Sequence, residues 1–324
     1  MPPDNQLSEL LARWRDDLAA WAIPEPILAG VSESPWVLPT RVFARRSDRL
    51  SAQPSGPSFE RAFAALEPAG TVLDIGAGAG AGSLPLRQRL TGLTAVDSSQ
   101  AMLDLLADRA RAAGVPTACV LGTWPAVAGE VPVADVVTSH HVTYNVPDLL
   151  PFLTAMTAHA RRLVVVEMTM VHPLTSLSPL WLKFHGLARP QSPTSDDVLA
   201  ILAAAGVEFG SRAWRRPGGS DYPSMAELTD ITRRRLCLPP ERADEVTAAL
   251  VEAGVDPVRP QDLASSGRDV VTIWWGGAAA VPDFAALAAA AVPDFAALAA
   301  AESIPDGPAD LEDAASCCRD DETA

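Results

Sequence analysis

The sequence predicts an α/β fold: a seven-stranded, mostly parallel sheet with one antiparallel closing strand and helices on both faces. Three observations predict it. Short apolar, β-rich runs recur at 71–76, 93–99, 117–122, 134–140 and 162–169. Helical stretches alternate with them, which is the pattern of βαβ units around a buried parallel sheet. After 169 the alternation stops, and two more β-rich runs, 207–216 and 268–277, flank a polar helical stretch. That pair reads as the closing strands, with residues 217–268 as a helical insertion.

Each element has its own signal. Residues 5–22 place Leu7, Leu10, Leu11, Trp14, Leu18 and Trp21 on one face of a helix. A link containing Pro and Ser, with Trp36 and Phe43, runs to about Pro57. A helix over Ser58–Leu66 leads into the first strand, TVLDIG. The second strand, LTAVDSS, precedes a helix from Gln100 that stops at Gly114, a residue suited to a helix end. Cys119, in the third strand TACVLG, reads as a small core residue. The fourth strand, ADVVTSH, leads into the helix VPDLLPFLTAMTAHA, and the fifth is RLVVVEMT. Residues 194–206 form a helix behind a Ser or Thr cap. Beyond 277 the segment AVPDFAALAAA occurs twice, at 280–290 and 291–301. Pro282 and Pro293 interrupt any continuous helix there, and two copies are too few for a solenoid. The expected organisation is a helical lid segment at 1–57, a main domain at 58–277, and at 278–324 an Ala-rich spacer with a disordered acidic end.

Composition narrows the function. The chain has 324 residues and a formal net charge of −15. Residues 302–324 hold eight acids and one arginine, so −7 lies there and −8 in the rest. The basic residues are scattered, a poor footprint for a nucleic-acid binder. No apolar run is long enough for a bilayer, and no secretory signal opens the chain. A cytoplasmic protein without a membrane or nucleic-acid partner is expected. The four cysteines, Cys119, Cys237, Cys317 and Cys318, form no CxxC pair, so no metal site is expected.

The informative stretch is TVLDIGAGAGAGSLPL, residues 71–86. A buried strand runs past a carboxylate, Asp74, into glycines at 76, 78, 80 and 82. A strand, a glycine turn and a helix N-terminus together offer bare N–H groups to a ligand. A nucleoside triphosphate loop would need GxxxxGK[ST], and no lysine follows. Gly76, Gly78 and Ala81 satisfy the looser dinucleotide fingerprint GxGxxA, so the motif alone leaves NAD open.

The stretch VLDIGAGAG resembles the first motif of the class I S-adenosylmethionine-dependent methyltransferases, whose fold is Rossmann-like. The resemblance spans about 58–170. It maps Asp74, Gly76, Ala77, Gly78 and Gly80 onto the cofactor loop, with Asp74 facing the methionine ammonium directly or through water. Asp97, at the end of LTAVDSS, then takes the ribose hydroxyls, and Ser98 and Met102 lie near the adenine. The third strand ends LGTWP without the family's frequent acidic residue. A backbone contact near Gly122 or Thr123, with Trp124 on the ring, replaces it.

The fourth strand ends in SHHVTYN, where Ser139 joins the cofactor residues. In this fold that position faces the donor methyl, so His140 and His141 are the candidate bases, with Tyr144 and Asn145 positioning the acceptor. His172 and His185 either line an acceptor pocket or pack helices. The N/D-P-P-Y/F motif of exocyclic-amine methyltransferases is lacking. The resemblance therefore implies methyl transfer from S-adenosylmethionine to the O, N or C of a small-molecule acceptor. A non-catalytic S-adenosylmethionine-binding protein and an NAD(P)-dependent oxidoreductase stand as alternatives. By analogy with the family, Trp36, Arg41 and Phe43 belong to a lid over the cofactor.

Overall fold

The structure, a computed structural model, describes residues 3–36, 38–216, 222–263 and 269–278. The duplicated segment at 280–301, the acidic end and part of the 217–268 insertion lie outside the described residues.

Seven strands form one sheet: β1 (Gly70–Ile75), β2 (Leu90–Asp97), β3 (Thr117–Leu121), β4 (Ala134–His140), β5 (Ala160–Thr169), β6 (Phe209–Arg215) and β7 (Asp269–Gly276). Their order is β3-β2-β1-β4-β5-β7-β6. The pairs from β3 to β5 are parallel, and β7 runs antiparallel between β5 and β6. The architecture is the Rossmann-like, mostly parallel sheet with one antiparallel closing strand that the sequence predicts.

Alternating side chains serve both faces. Leu73, Ile75, Val137, Val164 and Val166 face one core with helices α1 (Pro3–Ala19), α6 (Leu149–His159) and α8 (Ser195–Ala204). Val72, Val136 and Val165 face a second core with α4 (Pro57–Ala65) and α5 (Gln100–Ala112). A third core is helical. It joins α7 (Ser178–His185), α9 (Met225–Arg235) and α10 (Ala243–Glu252) to Ile23 and to Val42 of α3 (Thr40–Ala52). The N-terminal segment and the insertion are thus packed together rather than separate. Among the described residues, no helix is long and apolar enough to cross a membrane.

Three expectations are corrected. The link at 23–57 contains α2 (Glu25–Leu28) and the 13-residue α3. The arginines of α3 obscure its apolar face in the sequence, and two of them, Arg41 and Arg45, pair with Glu227 of α9. The glycine loop is followed by turns and a 3-10 helix over Leu84–Arg89, not by an α-helix. Glycines and Pro85 disfavour α-helix there, so the loop lacks a helix N-terminus behind it. Cys119 is exposed rather than buried. It lies on β3, the edge strand, whose residues are incompletely covered.

Candidate functional site

Because β1, β2, β4 and β5 are parallel, their carboxyl ends meet at one edge of the sheet, where open α/β folds hold ligands. A cavity of about 610 Å³ lies there, a size suited to a small ligand. Trp36 and Leu38, with Phe43 and Arg46 of α3, line its outer side. Trp36 is 50% exposed, so this cover is partial. Arg41 is directed instead to Glu227.

The loop after β1 is shaped by backbone that other residues resist. Gly76 has φ +66°, and a Cβ there would lie 2.3 Å from Val142 Cγ2. Its N–H and that of Ala77 donate to the Val96 carbonyl at 2.8 and 3.0 Å. Gly78 has φ +51°, and its N–H donates to Asp97 Oδ2 at 2.8 Å. Gly80, also at positive φ, turns the chain back over Leu84. Asp97 accepts a second N–H, from Ser99, on Oδ1 at 2.9 Å. A carboxylate has about four lone-pair sites, so Asp97 holds the loop and retains acceptor capacity for a vicinal diol.

Asp74 is 1% exposed. Its Oδ1 accepts the Thr138 hydroxyl at 3.1 Å, while Oδ2 and the neighbouring Ser83 hydroxyl are both buried and make no hydrogen bond of ordinary geometry. Burial pushes its carboxyl pKa up, opposed by hydrogen bonds and by nearby His140. A buried carboxylate oxygen without such a bond is uncommon. A ligand ammonium would satisfy it, whereas a dinucleotide pyrophosphate would be repelled. The residues present therefore fit the adenosyl and methionine ends of S-adenosylmethionine.

Ser98, Met102, Gly122, Thr123 and Trp124 line the same cavity. The Trp124 indole is fixed by donation to the Phe152 carbonyl at 3.2 Å and by edge contact with His159. Ser139 is placed differently. Its hydroxyl is buried and donates to the Ile75 carbonyl at 3.0 Å, tying β4 to β1 away from the cavity lining.

His140 and His141 both line the cavity, in different states. His140 Nε2 is buried without a partner. His141 has φ +62°, an uncommon backbone for a non-glycine residue. Its Nε2 lies 3.2 Å from Glu167 Oε1. Burial, with the Arg216 cation assisting, lowers the His141 pKa to about 4 against the raising effect of Glu167. His141 is therefore neutral near pH 7. Asn145 lines the cavity, whereas Tyr144 packs beside it in the core. His172 stacks on Trp21 at 3.9 Å in the loops beyond β5 and α1, and His185 of α7 bonds the Leu236 carbonyl at 2.6 Å; neither lines the cavity.

Sequence reasoning missed several cavity residues, among them Glu167 and Arg216. Glu167, on β5, is 3% exposed, and Arg216, just after β6, is 7% exposed. Their side chains form an ion pair. Arg216 first, then His141, holds the Glu167 carboxyl well below its usual pKa against burial. The available signal was a charged residue inside the apolar run VVVEMT. Among the described residues, no cluster of His, Cys, Asp or Glu could hold a metal ion.

Residues 72–163 match a family model described as a methyltransferase domain. No curated protein matches the sequence. Solved structures similar to the chain include the YcgJ protein of Bacillus subtilis, at 16% identity and TM-score 0.46, covering 68% of this chain and 97% of that one. A cyclopropane-fatty-acyl-phospholipid synthase-like protein of Lactobacillus casei has 16% identity and TM-score 0.44, covering 73% and 90%. The magnesium protoporphyrin IX methyltransferase of Synechocystis PCC 6803, with bound S-adenosylhomocysteine, has 18% identity and TM-score 0.40, covering 55% and 78%.

Proposed function

We propose that the chain, whose residues 72–163 match a methyltransferase-domain family model, is a class I S-adenosylmethionine-dependent methyltransferase that methylates a small molecule held against the end of β4. The observation that carries this reading is one cavity flanked by Asp97 at the glycine loop and by Asp74 with an unpartnered buried oxygen. S-adenosylmethionine, when bound, supplies a methyl group on a sulfonium, already activated for in-line displacement.

The chain's part is to bind, align and move a proton. Asp97 accepts the ribose hydroxyls, and Asp74 accepts the ammonium. Met102 and Trp124 flank the adenine, with Ser98 at its edge. His140 is the stronger candidate base, because its Nε2 is buried without a partner in the structure. His141, neutral and held on Glu167, orients the acceptor instead. Trp36 and Phe43 cover the site and shape the acceptor side. The acidic surface and the missing acceptor motif of nucleic-acid enzymes favour a small molecule.

Incubation of the full chain with methyl-labelled S-adenosylmethionine and a metabolite extract is expected to yield a labelled small molecule. Donor binding without turnover over a broad acceptor panel would favour a non-catalytic binder. No donor binding at all would remove the reading.

A further inference from the structure

Beside the main cavity is a small recess of about 30 Å³, bounded by Ser58, Gly82, His140, Glu167, Trp214 and Arg216. A water-sized group needs roughly 10–15 Å³ on the same measure, so the recess admits the head of a molecule and not its body. Four of these residues, His140, Gly82, Glu167 and Arg216, also line the main cavity.

Most polar atoms around the recess are already committed, in a fixed direction. The Trp214 indole can only donate, and it donates to Thr272 Oγ1 at 2.9 Å. Thr272 and Ser58 share a hydrogen bond of 2.6 Å. Ser58 donates to Glu167 Oε2, also at 2.6 Å. Glu167 Oε1 is held by Arg216 and His141. Glu167 is thus satisfied as an acceptor, and its charge is balanced by Arg216. Two buried atoms are left without partners: the Nε–H of Arg216 and Nε2 of His140. Arg216 can only donate, whereas a neutral imidazole nitrogen can accept.

We propose that this pair is the seat of the acceptor's nucleophile, and that the nucleophile is a hydroxyl oxygen. The inference rests on the methyl-transfer reading above and adds the accepting atom. A hydroxyl has one hydrogen and two lone pairs. Its hydrogen goes to His140 Nε2, one lone pair accepts Arg216 Nε–H, and the other faces the methyl carbon. A neutral amine has a single lone pair. Directed at the methyl, it leaves Arg216 Nε–H buried and unpaired, a costly arrangement. A carbon nucleophile has no lone pair to offer at that atom. In the reaction the O–H bond breaks and the proton moves to His140 Nε2. The oxygen lone pair forms the bond to the methyl carbon. The carbon–sulfur bond breaks with its electron pair returning to sulfur, leaving the thioether.

The test uses the full chain saturated with S-adenosylhomocysteine, with saturation confirmed by calorimetry on the same sample. Phenol and aniline are the matched oxygen and nitrogen probes, followed by ligand-observed NMR. Phenol should bind about tenfold tighter than aniline, the effect expected of one added hydrogen bond to a charged group. R216K keeps a cation for Glu167 but lacks the Nε–H fork, and should lose about that tenfold while S-adenosylhomocysteine affinity stays the same. The double variant E167Q/R216M removes both charges together, so it checks the result if R216K misfolds. With methyl-labelled donor, phenol should yield the O-methyl product.

Absence of phenol binding, equal binding of aniline, insensitivity to both variants, or a methyl group on carbon or nitrogen would overturn the inference. If S-adenosylhomocysteine itself fails to bind, the methyl-transfer reading fails instead.

Discussion

Replacing His141 with Asn should remove about 2 kcal/mol of the acid sensitivity of folding between about pH 7.5 and 5. The histidine pKa is lowered from 6.5 to about 4, first by burial and then by the Arg216 cation, against the pull of Glu167. Between those values the unfolded chain binds a proton that the folded chain refuses. Stability therefore falls as pH drops below 6.5, and the loss is complete near the folded value. The full interval corresponds to about 3 kcal/mol, of which about 2 kcal/mol has developed by pH 5. The side chain is 18% exposed, so these figures are upper values. Asn suits the exchange because it tolerates the left-handed backbone at this position and does not titrate. Urea unfolding of both proteins, followed by circular dichroism at the two pH values, gives the effect as a difference of differences. Any pH-independent cost of losing the contact to Glu167 cancels. Equal pH dependence in the two proteins would refute the reasoning and would mean that His141 is protonated in the folded chain.

Other consequences follow from the same geometry. D97N keeps an amide oxygen for the Gly78 N–H but loses the carboxylate's charge and half its acceptor sites, so S-adenosylhomocysteine should bind about 10- to 100-fold more weakly by calorimetry. G76A meets both a left-handed backbone and Val142 at 2.3 Å, and should cost about 2–4 kcal/mol in urea unfolding. H172F keeps the stacking on Trp21. Burial and Arg189 lower the His172 pKa to about 3, so this variant should also reduce the loss of stability on acidification from pH 7.5 to 5 by about 2 kcal/mol.

The sheet was legible because strands buried on both faces are continuous apolar runs. Val136–Val137 and Val164–Val166 divide between two cores, so neither side can be polar. The lining of the cavity at the glycine loop was legible for a similar reason: it is local. Asp74 and Gly76–Gly80 are contiguous, and Asp97 follows at the end of the neighbouring strand. The helix α3 was not legible, because Arg41 and Arg45 are read as solvent-facing charges until Glu227, far along the chain, is brought to them. Cys119 was misplaced because a strand's position at the sheet edge is a property of topology and not of its own residues. The Glu167–Arg216 pair was hidden most deeply. Its members lie on β5 and just after β6, and β7, from much later in the chain, separates those strands in the sheet. Ser139 illustrates the opposite limit. It sits at the right strand end, but its hydroxyl faces Ile75.

The most direct measurement is calorimetric titration of S-adenosylhomocysteine into the purified full chain. The arrangement of Asp74, Asp97 and the glycine loop predicts saturable binding of one molecule per chain. A folded protein that shows no binding would contradict the assignment of this cavity to an adenosyl donor.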